Sequence, residues 1–240
     1  ANGAADGAAI YNKNAEVVVG NSIFFGNQAS DDGGVYHGAA PNGRVRFAHS
    51  TMAFNRDTET TNAAAGIFVS SGVAEVTGSI IVNNDGGDLF QSGGTLSLEN
   101  SAYETKAGTI TEIGGGIFDL ETYDIGFVST ANATGLVPLP YSFAINRGTK
   151  DVADSDGIQY FTTDFMGQGR NEYTTPDMGA FELQATPNFV SANVAYEIQY
   201  FLGNGNATTA SGDFWGNIMR MDIVRYHPTS GARAEIGRLA

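Results

Sequence analysis

Two pairs of neighbouring carboxylates in the sequence are candidates for hydrolytic chemistry. Glycosidases place two carboxyl groups about 5–10 Å apart on either side of the bond that they cleave. The candidate pairs are Asp31–Asp32 and Asp85 with Asp88, and each pair lies beside a Gly-Gly dipeptide. Acidic residues next to glycine are typical of exposed turns, so we interpret both pairs as turn residues and not as catalytic groups.

A polysaccharide lyase would need a basic residue beside a Ca²⁺ ion that several carboxylates hold. The lysines of the chain are Lys13, Lys106 and Lys150. Arg44 and Arg46 flank Val45 in an alternating strand pattern, so both side chains are expected to project outward. No row of acidic residues stands at a matching repeat position, and lyase chemistry is therefore not favoured.

The stretch DVADSDG places Asp151, Asp154 and Asp156 close together. These carboxylates resemble the start of a calcium-binding loop, but the remaining ligand positions of an EF-hand are missing. A solvated turn is the favoured interpretation, and a calcium site formed by these three residues is the alternative. No other cofactor is predicted.

The histidines are His37, His49 and His227, and their spacing matches no metal-binding motif. His49 stands where Asn21 stands one repeat earlier, so we expect the histidines to be structural or exposed. The tripeptides at 132–134 and 206–208 are Asn-Ala-Thr sequons, which matter only in a cell that glycosylates. The sequence contains no phosphate-binding glycine loop and no recognisable Ser-His-Asp set.

The composition narrows the class of protein. Of 240 residues 16% are charged, against a typical ~25%, and the net charge is −14. This acidity argues against nucleic acid as a partner, because phosphate binding needs clusters of basic residues. Cysteine is absent, which excludes disulfides, and no apolar run approaches the ~18 residues of a transmembrane helix. The chain begins within a repeat pattern, so a processed or truncated fragment is expected.

The elements that would position these residues are repeated. The phrases NSIFFGN, HSTMAFN and GSIIVNN begin at residues 21, 49 and 78. Aligned, they form one column of serines and one of asparagines, with spacings of 28 and 29 residues in both columns. The columns are Ser22, Ser50 and Ser79, and Asn27, Asn55 and Asn84. Asparagine tolerates the left-handed conformation and can share side-chain hydrogen bonds along a ladder, so these residues are predicted to be structural.

A glycine-led phrase and a third apolar run accompany each serine phrase. The glycine-led phrases are GAAIYN, GGVYH, AGIFVS and GGDLF, and the third runs are AEVVVG, GRVRFA, GVAEVTG and GTLSLE. Each repeat thus holds three short alternating runs separated by turn residues. This pattern predicts an all-β, right-handed parallel β-helix, in which like strands stack about 4.8 Å apart in three sheets.

Three phrases further along the chain resemble those of a known family. They are SFAINRGTKD at 142–151, YFTTDFMGQGR at 160–170 and PDMGAFE at 176–182. In order and spacing they resemble the SPAIDAG, TTDQRG…R and DIGAFE phrases of bacterial right-handed parallel β-helix repeat proteins of the polymorphic-membrane-protein-like, choice-of-anchor type. The resemblance covers roughly residues 3–183. It implies a secreted or surface-displayed protein without an assigned enzymatic activity, whose GAFE region closes the C-terminal end of the solenoid.

Residues 186–240 predict a second domain after the β-helix of residues 1–185. The runs NVAYEIQYFL, FWGNIMRMDIVRY and ARAEIG predict a small antiparallel sheet of three strands. Four arginines balance four acidic residues in this segment, which also holds the only tryptophan, Trp215. Its strands either shield the open edge of the solenoid or form an assembly or attachment module.

These observations predict a non-catalytic extracellular or cell-surface protein with a structural or adhesive role. Its predicted partners are further copies of itself, stacked end to end into a fibre, or cell-surface polysaccharide. The alternative is a polysaccharide-active lyase or hydrolase, or a carbohydrate-binding module, which would show a groove with stacked aromatics and clustered acids. The outward positions of the repeat show few aromatic residues, and this favours the structural interpretation.

Overall fold

The computed structural model describes only part of the chain. The described residues are 1–58, 64–113, 118–120, 125–139, 142–149, 162–170, 175–183, 195–202, 207–208, 218–226 and 233–239. For those after residue 194, the backbone alone is described. The described elements are strands apart from one 3₁₀ turn, Ala133–Gly135. None of these elements is a helix long and apolar enough to cross a membrane.

Up to residue 120 the described chain winds into the predicted parallel β-helix, and each coil adds one strand to each of three five-stranded parallel sheets. The first sheet consists of β2 (Ile10–Asn12), β6 (Tyr36–Gly38), β10 (Ile67–Val69), β13 (Leu89–Gln91) and β16 (Lys106–Ala107). The second consists of β3 (Glu16–Gly20), β7 (Arg44–Ala48), β11 (Val73–Thr77), β14 (Thr95–Glu99) and β17 (Thr111–Ile113). The third consists of β4 (Ile23–Phe25), β8 (Thr51–Ala53), β12 (Ile80–Val82), β15 (Ala102–Tyr103) and β18 (Phe118–Asp119).

A fourth parallel sheet accompanies the three that the sequence predicts. It consists of β1 (Gly3–Ala4), β5 (Gln28–Ala29) and β9 (Arg56–Asp57). Each of these strands has two residues and follows the asparagine column or precedes the first coil. Two residues are too few to show the alternation of apolar and polar side chains by which a strand is recognised in a sequence.

The second sheet shows how alternation builds the core. In β7, Val45 and Phe47 are fully buried, and Arg46 between them lies on the outer face. Ala74 and Val76 of β11 are in register with the two buried residues and continue the inward columns. Burying one Val or Phe side chain stabilises the fold by about 1.5–3 kcal/mol, so a repeated pair of inward positions supplies much of the stability.

The third sheet is covered on both faces. Met52 and Ile81, at the middle of their strands, belong to the cluster inside the coils. Their neighbours on the opposite face form a second cluster with residues from later in the chain. The members of this second cluster are Ala53, Ile80, Val82, Ala102, Leu120, Ile125, Leu136, Ala144, Met178, Ala180 and Phe181. We call the described residues of 125–183 the covering segment.

The position of the covering segment corrects one expectation. The resemblance implies that the GAFE region closes the end of the solenoid, but Gly179 donates to Gly78 O at 2.8 Å and the Ala180 N–H donates to Thr51 Oγ1 at 3.0 Å. The GAFE region therefore lies along the side of the coils, on the third sheet. Gly179 has φ +86°, and a Cβ there would lie 2.7 Å from Ile80 Cδ1, so only glycine permits this approach.

The chain divides into two compact units, Ala1–Gln184 and Ala185–Ala240. The second contains the antiparallel sheet that the sequence predicts, with four strands in place of three. They are β19 (Ala195–Leu202), β20 (Ala207–Thr208), β21 (Ile218–Tyr226) and β22 (Arg233–Leu239), in the order β20-β19-β21-β22. The extra strand, β20, has two residues and lies between the first and second of the runs predicted to be strands.

Candidate functional site

The serine column forms a continuous ladder at the start of the third sheet. The Ser22 N–H donates to Ser50 Oγ at 3.4 Å, and the Ser50 N–H donates to Ser79 Oγ at 3.1 Å. The Ser79 N–H donates to Ser101 Oγ at 3.1 Å, so Ser101 is a fourth rung. In the sequence Ser101 falls in NSAYE, a shortened version of the serine phrase that begins at Asn100, and its spacing of 22 residues departs from the period of 28 and 29.

The asparagine column forms a second ladder, and its side chains are buried. Asn27 Nδ2 donates to Asn55 Oδ1 at 2.9 Å, and Asn55 Nδ2 donates to Asn84 Oδ1 at 2.9 Å. Each Oδ1 also accepts the backbone N–H of the asparagine one coil earlier, at 3.0 and 3.1 Å. Each asparagine therefore fixes both the side chain and the backbone of its neighbour.

Asp88 ends the asparagine ladder, which corrects its interpretation as an exposed turn residue. Asn84 Nδ2 donates to Asp88 Oδ1 at 2.7 Å, and the Glu104 and Thr105 N–H groups donate to Asp88 Oδ2 at 2.9 Å. The residue is 1% exposed, and burial raises the pKa of its carboxyl to about 6. Asp85, the other member of the pair, lies on the surface and pairs with Arg56 at 3.2 Å.

The outward arginines of the second sheet do not form a basic site. Arg44 Nη2 lies 2.7 Å from Glu75 Oε1, and Arg46 Nε lies 3.2 Å from Glu75 Oε2. Lys106 is similarly engaged, with Nζ 2.5 Å from Glu112 Oε1. Arg44 and Arg46 therefore share one carboxylate, and Lys106 pairs with another, on the solenoid surface.

The covering segment brings the three family-like phrases together around Arg170, which is 2% exposed. Arg170 Nη2 donates to Gly179 O at 2.8 Å, and Arg170 Nε donates to Asn21 Oδ1 at 2.9 Å in the first coil. Arg170 Nη1 lies 3.7 Å from Glu182 Oε2, whose carboxyl is also buried. We call Arg170, Asp164, Asp177 and Glu182 the buried charge cluster, and His49 lies beside it.

The carboxylates of the buried charge cluster hold backbone groups. Both oxygens of Asp164 and both oxygens of Asp177 accept N–H groups, at 2.6–3.0 Å. Glu182 Oε2 accepts the Asp177 N–H at 2.8 Å. Burial raises the pKa of Glu182 to about 7, because desolvation of the carboxylate outweighs the attraction of Arg170. An open cavity of about 360 Å³ lies beside Asp164 and Glu182, but their bonds to the backbone assign them to holding the segment closed.

His49 is buried beneath the covering segment. Its Nε2 lies 2.9 Å from Thr149 O, and its Nδ1 lies 3.3 Å from Asp177 O. The shorter contact places the proton on Nε2, which donates to Thr149. Burial and then the charge of Arg170 lower the pKa of His49 to about 3, so the imidazole is neutral in the folded chain.

We expect His49 to make the fold sensitive to acid. Below about pH 6.5 the unfolded imidazole binds a proton, and the folded one does not until about pH 3, so stability falls as pH falls through this window. The loss expected between pH 6.5 and 4.5 is about 2–3 kcal/mol. His49→Asn should flatten this dependence, and asparagine is suited to the position because Asn21 and Asn100 adopt the same positive φ in other coils. Urea unfolding at several pH values measures the slope.

Glu182 acts in the opposite direction on the same pH scale. Its folded pKa of about 7 lies above the usual value of 4.5, so its contribution to stability rises as pH falls from about 7 to 4.5. The comparison of wild type with His49→Asn isolates the histidine, because both chains retain Glu182. Equal slopes in the two chains would contradict a neutral buried His49.

A row of four rings crosses the outer face of the first sheet. Tyr11, His37, Phe68 and Phe90 are in register on adjacent strands. The Phe68 and Phe90 rings are stacked at 5.2 Å, and the two other neighbouring pairs meet edge to face. This row corrects the expectation of few outward aromatics. His37 and Phe68 are buried, however, and Tyr11 is 45% exposed, so the row offers no continuous surface to solvent.

Asp6 and Asp32 lie close to His37, the second ring of this row. One ligand atom of each lies within 4.8 Å of the others. The sequence analysis interprets Asp32 as a turn residue and His37 as structural or exposed, and it does not predict that the two lie beside Asp6. The sequence carries a signal that aligns the acids: each aspartate precedes a glycine and stands four residues before Ile10 or Tyr36, which are in register.

Several candidate residues lie outside the described part of the chain. These are the calcium candidates Asp151, Asp154 and Asp156, together with Lys150, His227 and Trp215. The chain matches no known family model, no curated protein and no solved structure. The resemblance to choice-of-anchor β-helix proteins stays a prediction from the quoted phrases.

Proposed function

We propose that this chain is a non-catalytic structural β-solenoid, displayed outside the cell or on its surface. The observation that carries the proposal is the use of the buried polar groups. Hydrogen bonds of the serine and asparagine ladders and of Asp88 join neighbouring coils. Those of the buried charge cluster hold the covering segment in place. Their chemistry supports a rigid scaffold.

The outer surface supports the same role. Charged outward side chains such as Arg44, Arg46 and Glu75 pair with each other across neighbouring strands, as do Arg56 and Asp85. The chain as a whole is acidic, with a net charge of −14. Net charge of this size keeps a protein well hydrated and limits non-specific association, which suits an extended surface element.

Surface labelling of producing cells tests the proposal. Antibodies raised against the purified chain should label intact cells as strongly as permeabilised ones, with a cytoplasmic protein as the control that needs permeabilisation. In parallel, the purified chain should release no sugar from a panel of polysaccharides. Labelling that requires permeabilisation would contradict the location, and turnover that Asp164→Asn abolishes would contradict the non-catalytic role.

Polysaccharide binding is the second candidate, and the aromatic row is the observation that favours it. Only Tyr11 at the end of the row is substantially exposed, so binding would depend on that ring. Retardation of the chain in gels containing polysaccharide, lost in Tyr11→Ala, would support this candidate. End-to-end association of copies remains a prediction from the repeat alone.

A further inference from the structure

Two aspartates occupy the same position in the first two coils. Asp6 and Asp32 each precede a glycine with positive φ, +51° at Gly7 and +71° at Gly33. The Gly7 N–H donates to Asp32 O at 2.7 Å, so the two turns are stacked directly on each other. Like charges at stacked positions repel, and a cation bound between the two carboxylates would reduce this repulsion.

His37 supplies a third electron-pair donor beside the two carboxylates. The residue is 6% exposed, and its Nδ1 lies 3.6 Å from Asp6 Oδ1, which is longer than a hydrogen bond. This Nδ1 is buried and has no hydrogen-bond partner. A buried imidazole nitrogen without a partner is costly, and this one faces the carboxylates.

The hydrogen bonds of the ring fix which nitrogen carries the proton. Ser70 Oγ donates to Gly38 O at 3.0 Å, so the Ser70 hydroxyl proton is already committed. The Ser70 Oγ must therefore accept from His37 Nε2, which lies 2.9 Å away. The proton is on Nε2, and the lone pair of Nδ1 points toward Asp6 and Asp32. Histidine ligands in metal sites commonly donate their second N–H in this way.

We infer that Asp6, Asp32 and His37 bind a divalent transition-metal ion, with zinc as the best-matched probe. The imidazole nitrogen favours a transition metal such as zinc, which also accepts carboxylate oxygens, whereas calcium and magnesium prefer oxygen ligands throughout. Tetrahedral ligands of zinc lie about 3.3 Å apart, and the present donor atoms lie within 4.8 Å of one another, with 3.6 Å between His37 Nδ1 and Asp6 Oδ1. The Asp6 side chain is 33% exposed, which gives the ion a path from solvent and room for a water ligand.

Such an ion would fasten the first coil to the second. Asp6 comes from the turn before β2, whereas Asp32 and His37 come from the next coil. The ion would neutralise the two stacked carboxylates and occupy the unpaired imidazole nitrogen. The inference does not depend on the proposed surface role, because a scaffold or an enzyme could equally hold this site.

Zinc binding to the full chain tests the inference directly. The chain is stripped with a chelator, and Zn²⁺ is titrated in competition with a chromophoric chelator of known affinity. One equivalent should bind, and Asp6→Asn, Asp32→Asn or His37→Gln should each weaken binding at least about tenfold, with Ser70→Ala weakening it about 10–100-fold through the ring orientation. The matched control is Asp31→Asn, which removes the same charge from an exposed neighbour and should leave affinity within about threefold.

Proton NMR of the histidine rings gives a second readout that does not depend on affinity. Zinc should shift the ring signals of one histidine of the three, and that signal should be missing in His37→Gln. Far-UV circular dichroism of each variant confirms that the coils are intact. Stoichiometric zinc binding that survives all three ligand substitutions would overturn the inference, as would the absence of binding to wild type or displacement of zinc by millimolar calcium.

Discussion

Asn55→Ala is expected to lower the free energy of unfolding of the solenoid by about 3–5 kcal/mol. The reason is that the substitution leaves several buried hydrogen-bonding groups without a partner. Asn55 Oδ1 accepts both the backbone N–H and the Nδ2 of Asn27, and Asn55 Nδ2 donates to Asn84 Oδ1 and to Phe24 O. Each buried group left without a partner costs about 1–3 kcal/mol, and the shortened side chain leaves a cavity as well.

The choice of probe matters for this measurement. The only tryptophan, Trp215, belongs to the second compact unit, so the measurement uses probes that lie in the coils themselves. Far-UV circular dichroism or hydrogen exchange of strand amides follows the solenoid. Asn14→Ala serves as the matched control, because Asn14 is exposed and its loss should change stability by less than about 0.5 kcal/mol. Equal effects of the two substitutions would mean that the ladder does not stabilise the coils.

Arg170→Met should destabilise the covering segment by about 3–5 kcal/mol at neutral pH. The guanidinium is buried and lies among Asp164, Asp177 and Glu182, so its removal leaves buried carboxylates without their cation. The substitution also leaves Gly179 O in the covering segment and Asn21 Oδ1 in the first coil without the hydrogen bonds that Arg170 donates to them. Methionine retains most of the apolar volume, so the loss reports mainly the charge and its hydrogen bonds.

A double substitution and a change of pH separate the contribution of the Arg170 charge from that of its hydrogen bonds. Glu182→Gln removes a charge but keeps an oxygen for the Asp177 N–H, so Arg170→Met with Glu182→Gln should be more stable than the sum of the single losses predicts. Because burial raises the pKa of Glu182 to about 7, the effect of Arg170→Met should shrink as pH falls below that value. Hydrogen exchange at Gly179 and Ala180, whose amides donate to Gly78 O and Thr51 Oγ1 of the coils, provides the local measurement. Strict additivity at both pH values would show that Arg170 and Glu182 are not coupled.

The ladders and the group of Asp6, Asp32 and His37 should stabilise the protein under different conditions. Substitution in a ladder or in the buried charge cluster should weaken the fold under all conditions, because these bonds are internal. Substitution of Asp6, Asp32 or His37 should instead abolish the extra stability that added zinc provides. The two kinds of residue are therefore distinguishable by one comparison, the unfolding of each variant with and without the metal.

The sequence alone determined the winding of the coils and the two ladders. A spacing of 28 or 29 residues places Ser22, Ser50 and Ser79 one coil apart, and like positions in a parallel solenoid must then stack. The alternation around Val45 and Phe47 likewise fixed which side chains face inward, because strand side chains alternate between the two faces. Both inferences depend on local periodicity, which is visible without coordinates.

Only the tertiary structure decided what covers the outer faces. The apolar residues on both faces of the third sheet, such as Ile80 beside Ile81, show that its outer face needs a cover, but not that Met178 and Phe181 supply it. The tertiary structure alone also decided that the asparagine ladder ends at Asp88. The same holds for the contact of His37 with Asp6 and Asp32. These contacts join segments whose spacing follows no period, and packing in three dimensions selects them.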